Sequence, residues 1–414
     1  MRGLPHFPEM QPQMLHGLPA MPLFHMRGGT STGIVLWEPH LPEDLALREE
    51  LIRHLMGVPQ QGSLPGNRQI TGLGRGSPTS NKVFIVNTHA GEDADFDSTL
   101  AQLAADHDRI DWGVNCGNMS AALPLYLVST GLVKAVTPQT RLRIWNTNTR
   151  KLTVMRMPTP FDMASIPGVH GRFPAVDLSL QHPVGAKTGK LLPTGAPTDV
   201  IDGVRVSCVD VAVPMVIIRA DDLGYTAREP VSSLQADKAL IERLRSIWVQ
   251  AGLKMGLKTA SGTLMTEQDL ARSETVPKVC LVGPGDDDCD IHVRYYTPQA
   301  VHASMAVTGG CCLAVATLLE GTVAHDISLP RRQIASMDAS DPQSATTSEN
   351  PQTTTVRIGN PAGVLRATVC AGRRGEDILI PWVSYERSAQ VLLQGMVPIY
   401  QASPELRGFF ASRN

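Results

Sequence analysis

Apolar and polar positions alternate along most of this chain, and two segments break the alternation by being apolar on every side. Leu23 to Trp37 reads as two short strands about the glycine-rich turn Arg27-Gly28-Gly29-Thr30-Ser31-Thr32-Gly33. Glu43 to Met56 places Leu45, Leu47, Leu51, Ile52 and Leu55 at helical spacing. Lys82-Val83-Phe84-Ile85-Val86 predicts a strand that opens with a lysine, and Asp95 to Asp106 a weaker helix. Gly117 to Thr130 is apolar almost all round, which predicts a buried helix ended by Gly131. Arg141 to Arg156 alternates about Asn146 to Thr149 and predicts a hairpin. Further on, Val204 to Ile218 gives two strands, Ala236 to Ala251 a helix, and 258–276 a polar loop. Val279 to Val282 and Ile291 to Tyr296 pair across an acidic turn, and Cys311 to Glu320 is a second all-apolar helix. Thr355 to Cys370 is a hairpin, and Trp382 to Leu393 supplies closing strands.

The two halves echo each other in order. Lys82-Val83-Phe84-Ile85-Val86 is matched by Lys278-Val279-Cys280-Leu281-Val282, each followed by an all-apolar helix. Those helices end at Gly131 and Gly321, and Arg143-Ile144-Trp145-Asn146 and Arg357-Ile358-Gly359-Asn360 then open hairpins. Repeated order of this kind points to duplication. The expected fold is α+β: two tandem pseudo-symmetric domains, each a mostly antiparallel barrel around a central apolar helix, with an active site in the cleft between them. The expected bounds are a mobile leader 1–20, domains 21–190 and 191–397, a mobile polar insertion 335–355, and a tail 398–414.

Composition narrows the class. The chain has 414 residues, 42% hydrophobic and 18% charged, enough for two ordinary domains. A net charge of −2 gives no reason to expect a nucleic-acid partner. Seven cysteines without paired spacing suggest a reducing, cytoplasmic setting and no structural metal. No run is long and apolar enough for a membrane helix. The acidic turn Asp286-Asp287-Asp288-Cys289-Asp290 reads as solvated turn residues before it reads as a metal site.

Candidate chemistry gathers at Asn115-Cys116-Gly117-Asn118. A helix start presents unpaired N–H groups and a positive dipole end, which bind anions and favour a thiolate. The bland alternative is a small buried cysteine at a helix cap. Lys82 follows a second loop, Gln69 to Ser80, containing Gly72, Gly74, Arg75 and Gly76. A lysine at a strand mouth is usually solvated; beside such a loop it can be desolvated and tuned as a base, with Arg75 as a neighbouring cation. Aligning the two helices sets Cys116 opposite Ala306, which disfavours a two-cysteine racemase. A polycarboxylate binder without chemistry would need neither the thiol nor the amine.

On these residues the chain resembles the 4-oxalomesaconate tautomerase and 2-methylaconitate isomerase family, of diaminopimelate-epimerase-like fold. The matching pieces span roughly 21–397: Met26-Arg27-Gly28-Gly29-Thr30-Ser31, Gly72-Leu73-Gly74, Thr79-Ser80-Asn81-Lys82, Asn115-Cys116-Gly117-Asn118, Leu192-Pro193-Thr194-Gly195, His302-Ala303-Ser304 and Arg387-Ser388-Ala389. The resemblance implies a cofactor-free allylic proton shift in a small unsaturated tricarboxylate, with Lys82 and Cys116 as the catalytic pair. 4-Oxalomesaconate, an intermediate of aromatic-acid catabolism, ranks first, and aconitate or 2-methylaconitate second. The implied substrate contacts are Arg27, Gly28, Thr30, Ser31, Arg75, Ser80, Asn115, Gly117, Asn118, His302, Ser304, Thr308, Gly309 and Arg387. No nucleic acid or membrane partner is implied, and a homodimer is left open. The chain departs from the family pattern at Thr32, Thr71, Arg75 and Ala306, all near the presumed carboxylate sites.

Overall fold

A computed structural model describes residues 10–76, 79–113, 115–259, 261–273, 275–337 and 351–413. The expected leader therefore lies outside the described residues at 1–9, and the expected insertion at 338–350. The strands that matter are β1 (Leu18–Gly28), β2 (Ser31–Trp37), β3 (Lys82–Thr88), β4 (Phe96–Leu103), β5 (Gln139–Asn146), β6 (Lys151–Pro158), β7 (Phe173–Gln181), β8 (Val204–Val211), β9 (Val213–Arg219), β10 (Lys278–Pro284), β11 (Ile291–Thr297), β12 (Gln352–Asn360), β13 (Gly363–Arg374) and β14 (Asp377–Pro398). The helices are α1 (Leu45–Met56), α2 (Gly117–Ser120), α3 (Ala122–Ser129), α4 (Lys238–Lys254), α5 (Val307–Ala316) and α6 (Pro404–Ala411).

Two compact units emerge. The first comprises Met1–Ser165, Val169–Leu178 and Arg387–Asn414, and the second Ile166–Gly168 and Ser179–Glu386. These bounds differ from the expected 21–190 and 191–397, because β7 and the long β14 each run from one unit into the other. A local pattern of apolar residues carries no mark of such a passage.

In the first unit β1 pairs antiparallel with β2, β2 parallel with β3, β3 antiparallel with β4, β4 parallel with β5, and β5 antiparallel with β6. β7 joins β6 to β14, and β14 returns antiparallel to β1, closing an eight-stranded barrel. Alternation then sorts side chains by face. Phe24, Met26, Val35, Phe84 and Leu100 point inward onto Met119, Leu123 and Tyr126 of α2 and α3. Leu23, Ile34, Val83 and Ile85 point outward under α1 and α6, through Leu51, Ile52, Leu406 and Phe410.

The second unit repeats the order. β8–β9 is antiparallel, β9–β10 parallel, β10–β11 antiparallel, β11–β12 parallel and β12–β13 antiparallel. Its central helix α5 is buried among Cys280, Val282, Val293, Tyr295 and Tyr385, while α4 covers the outer face through Leu244, Ile247 and Trp248. The duplication reaches single side chains. Arg143 donates from Nε and Nη2 to Asp95 Oδ1 at 3.2 and 2.8 Å and from its backbone N–H to Oδ2 at 2.6 Å. Arg357 makes the same three bonds to Asp290, at 3.0, 2.9 and 3.0 Å.

Several elements depart from the expectations. The stretch expected as a helix over Asp95 to Asp106 is strand β4, with Phe96, Ser98 and Leu100 buried at period two. Local helix propensity yields there to pairing on both edges. The helix expected over Gly117 to Thr130 breaks at Ala121 into α2 and α3, and α5 starts four residues earlier than expected. The loop 258–276 holds the helix Glu267–Arg272, announced by a capping box between Thr266 and Asp269. The described part of the leader is ordered, Gln13–Leu15 pairing with Leu18–Ala20. The tail forms α6, which buries Leu406 and Phe410. No described helix is long and apolar enough to cross a membrane.

Candidate active site

Cys116 is the N-cap of α2, in extended conformation, and its Sγ accepts the Met119 N–H at 3.5 Å. The Asn115 side-chain oxygen accepts the Cys116 N–H at 2.7 Å, and the Cys116 carbonyl accepts the Ser120 hydroxyl at 2.9 Å. A thiol in the capping position occupies the place where an anion would meet the helix N–H groups. Its Sγ is 3.8 Å from Ser31 Oγ at the start of β2.

Close backbone packing fixes this helix start. A Cβ on Gly28 would lie 2.6 Å from the Met119 carbonyl oxygen and 2.7 Å from that of Asn118, so only glycine lets β1 approach. Gly29, at φ +53°, makes the β1–β2 turn, with Asn118 Oδ1 against its α-carbon. Arg387 is almost wholly buried and donates from Nε to Asn118 Oδ1 at 2.7 Å. Arg27 directs Nη1 at the Gly29 and Ser388 carbonyls, at 2.8 and 3.1 Å, and lies over the Phe173 ring. Burial lowers its pKa to about 10. Both arginines brace the turn that carries Thr30 and Ser31.

Lys82 opens β3 and shares inward parity with Phe84 and Val86, so its side chain faces the barrel interior. It is 6% exposed. Its antiparallel neighbour Gln102 has the same parity, and Lys82 Nζ donates to Gln102 Oε1. The Gln102 amide is held in that orientation by donating to the Asn81 and Leu103 carbonyls, at 2.9 and 3.1 Å. Sequence reasoning missed Gln102; the signal was period-two alternation in a stretch taken for a helix. Lys82 packs against Gly33, two residues along the same face of β2 from Ser31. Two residues of strand span roughly 7 Å. In the first unit Ser31 thus contacts Cys116, and Lys82 lies beside Gly33 on the same inner face of the barrel wall.

Arg75 is exposed. Its loop is pinned by Asn81 Oδ1, which accepts the Arg75 N–H at 3.3 Å, and by Gln69 Oε1, which accepts that of Gly76 at 2.8 Å. Its charge reaches His25, on the opposite face of the barrel wall from Phe24 and Met26; burial, helped by Arg75, lowers His25 to about 4. Ser80, two residues before Lys82, is half-buried.

In the second unit α5 begins after Ala306 without a side-chain cap. His302 Nδ1 accepts the Ser304 N–H at 2.9 Å, and the His302 ring meets Tyr295 edge-on at 5.9 Å. Gly309 packs its α-carbon against the Tyr295 ring, so packing alone requires glycine there. Thr308 is half-buried on the first turn. Lys278, the counterpart of Lys82, opens β10 with inward parity, and burial lowers its pKa to about 8.

Comparison with known proteins places the chain in a family. Residues 19–400 match the PrpF protein family. The chain is 36% identical over 359 residues to the putative isomerase YbhH of Escherichia coli K12, covering 84% of this chain and 96% of that one. It is 35% identical over 317 residues to a 4-oxalomesaconate tautomerase of Pseudomonas putida, covering 75% and 83%. The crystal structure of a methylitaconate-delta-isomerase superposes with a TM-score of 0.75 at 29% identity, covering 92% and 95%.

Proposed function

Because the chain belongs to the PrpF family, isomerases of unsaturated carboxylates, we propose that it shifts a C=C bond in 4-oxalomesaconate by moving one allylic proton. The observation that carries the reading is a barrel that holds both an inward-facing lysine and a capping cysteine, with Ser31 of the lysine's neighbouring strand 3.8 Å from the sulfur. A proton beside a conjugated carbonyl or carboxylate is acidified because its electron pair delocalises. One of the two groups removes that proton and the other returns one to the far carbon of the allylic system, so nothing is lost overall. The Gly117 and Asn118 N–H groups at the start of α2 and the Ser31 hydroxyl would hold the enolate-like charge that develops between the two transfers. Asn115, Gly117 and Asn118 shape that N–H cluster. The similarity to the Pseudomonas putida tautomerase supports the choice of substrate.

The test follows substrate in deuterated water by NMR, using 4-oxalomesaconate, 2-methylaconitate, aconitate and methylitaconate. Wild-type protein should place deuterium at one allylic carbon of 4-oxalomesaconate while its double bond migrates. Lys82→Ala should lower turnover by about 10²- to 10⁴-fold, the usual worth of a positioned acid–base group. Cys116→Ser should slow it as well, because a hydroxyl is the weaker acid. Unchanged turnover in both variants would remove the proposed pair. Faster turnover of another acid in the panel would overturn the substrate while leaving the chemistry.

A further inference from the structure

The acidic turn between β10 and β11 is more than a run of aspartates. It folds so that Asp286, Cys289 and His292 offer one donor atom each, all within 4.8 Å of one another. His292 Nε2 is 3.3 Å from Cys289 Sγ and 2.7 Å from Asp286 Oδ2, and Cys289 Sγ is 3.6 Å from Asp286 Oδ1. Cys289 is buried, while Asp286 stays at the solvent edge. Gly359 of β12 forms the back wall: a Cβ there would lie 2.7 Å from both Cys289 Sγ and His292 Nδ1. Asp286 Oδ1 also accepts the Asp288 and Cys289 N–H groups, at 3.1 and 3.2 Å, which fixes the carboxylate.

We propose that this triad binds a zinc ion, with water in the fourth position, and that the ion ties the β10–β11 tip together in the second unit. The donor set decides the metal. Sulfur with imidazole and one carboxylate suits zinc, whereas calcium and magnesium need oxygen cages. In a tetrahedral zinc site with bonds of about 2.0–2.3 Å, ligand atoms stand roughly 3.4–3.6 Å apart. Cys289 Sγ stands near that spacing from His292 Nε2, at 3.3 Å, and from Asp286 Oδ1, at 3.6 Å. Zinc would take one Asp286 oxygen, and the 2.7 Å hydrogen bond between His292 Nε2 and Asp286 Oδ2 gives way as the ring nitrogen turns to the metal. The Cys289 S–H bond breaks, its proton leaves to solvent and its electron pair goes to zinc; no oxidant or reductant is involved. Arg228, 3.1 Å from Asp286, competes for the same carboxylate. Its side chain is half exposed and free to swing away. The corresponding turn of the first unit sets His89 between Asp93 and Asp97, without a thiol.

Cobalt(II), a spectroscopic stand-in for zinc, tests the site on the full-length chain after EDTA treatment. One equivalent should produce the near-ultraviolet thiolate-to-cobalt charge-transfer band, and zinc should displace the cobalt and bleach it. Cys116→Ala should keep the band. Cys289→Ala should lose it, and His292→Gln should weaken cobalt binding at least tenfold. Zinc should raise the melting temperature of wild-type protein and not of the His292→Gln variant. That variant keeps the buried thiol, so its melting in EDTA separates lost binding from lost folding. A band that disappears with Cys116→Ala and survives Cys289→Ala overturns the proposal, as does the absence of any charge-transfer band in wild type.

Discussion

At the scale of single residues, the placement of two candidate groups was legible because each is a rare side chain in a rare place. Cys116 stood out as a thiol at a predicted helix start, and it is the N-cap of α2. Lys82 stood out as a charge opening an apolar strand, and it faces the barrel interior. What stayed hidden were partners brought by the fold. Gln102 carries no motif, yet strand register sets it against the lysine. Arg27, an implied substrate contact, directs Nη1 at the Gly29 and Ser388 carbonyls, and Ser388 lies 361 residues away. Gly28, an implied substrate contact, lies against the protein's own helix start. Gly28→Ala would push a methyl into two backbone carbonyls that cannot swing aside. It should cost about 1–3 kcal/mol of stability in urea unfolding and lower turnover by displacing Cys116. Gly395→Ala, where nothing lies within 4 Å of the added carbon, is the matched control. Equal behaviour of the two variants would show that the close approach of β1 to α2 is unimportant.

At the scale of elements, apolar periodicity found the central helices and most hairpins, and failed where two periods compete. Phe96 to Leu103 contains good helix formers, yet Phe96, Ser98 and Leu100 are buried as the inner face of a strand. Only the neighbours β3 and β5, whose pairing no local window contains, decide the matter. The paired aspartate–arginine clamps show how each barrel secures its parallel crossing. Asp95 ties the start of β4 to β5, and Asp290 ties the start of β11 to β12. Burial raises the Asp290 pKa, but hydrogen bonds from Arg357 and Arg332 outweigh it and hold the carboxyl below its ordinary value. Asp290→Asn keeps the shape and removes the charge. Hydrogen bonds to charged groups contribute about 1.5–3 kcal/mol. The variant should lose roughly 2 kcal/mol of stability at pH 7, and less at the lowest pH at which the wild-type protein stays folded, as the depressed Asp290 carboxyl takes up its proton below the ordinary carboxylate range. Urea titrations at the two pH values read this out. A loss that does not change with pH would mean that packing, not charge, holds the clamp.

For the whole molecule, duplication was legible as an order of motifs, but the paths of β7 and β14 between the units were not, and the units differ in a way that acid should expose. The described histidines whose pKa is lowered, His25, His40 and His54, all lie in the first unit. Burial drives each shift. Arg75 adds to it at His25 and Arg413 at His40, whereas Glu50 opposes it at His54. His25 and His40 fall from 6.5 to about 4. Both rings are then neutral when folded and protonated when unfolded between those two values. Acid in that window favours the unfolded chain. The stabilisation is complete above pH 6.5 and is lost as pH falls toward 4. His89 works the other way: hydrogen bonds to Asp97 and Asp93 raise its pKa, so its contribution is present at low pH and lost on going up. Its Asp93 partner is exposed, and pairs with exposed carboxylates are weak. In the second unit Asp290 is depressed below the ordinary carboxylate range, so its stabilisation persists until pH drops below 4. Between pH 7.5 and 5, hydrogen exchange corrected for intrinsic rates should therefore lose protection in β1–β5 while β8–β13 hold theirs. Replacing both His25 and His40 by asparagine should flatten that difference. Equal loss in the two units would mean that the buried imidazoles do not set the acid limit, and that some feature common to both barrels does.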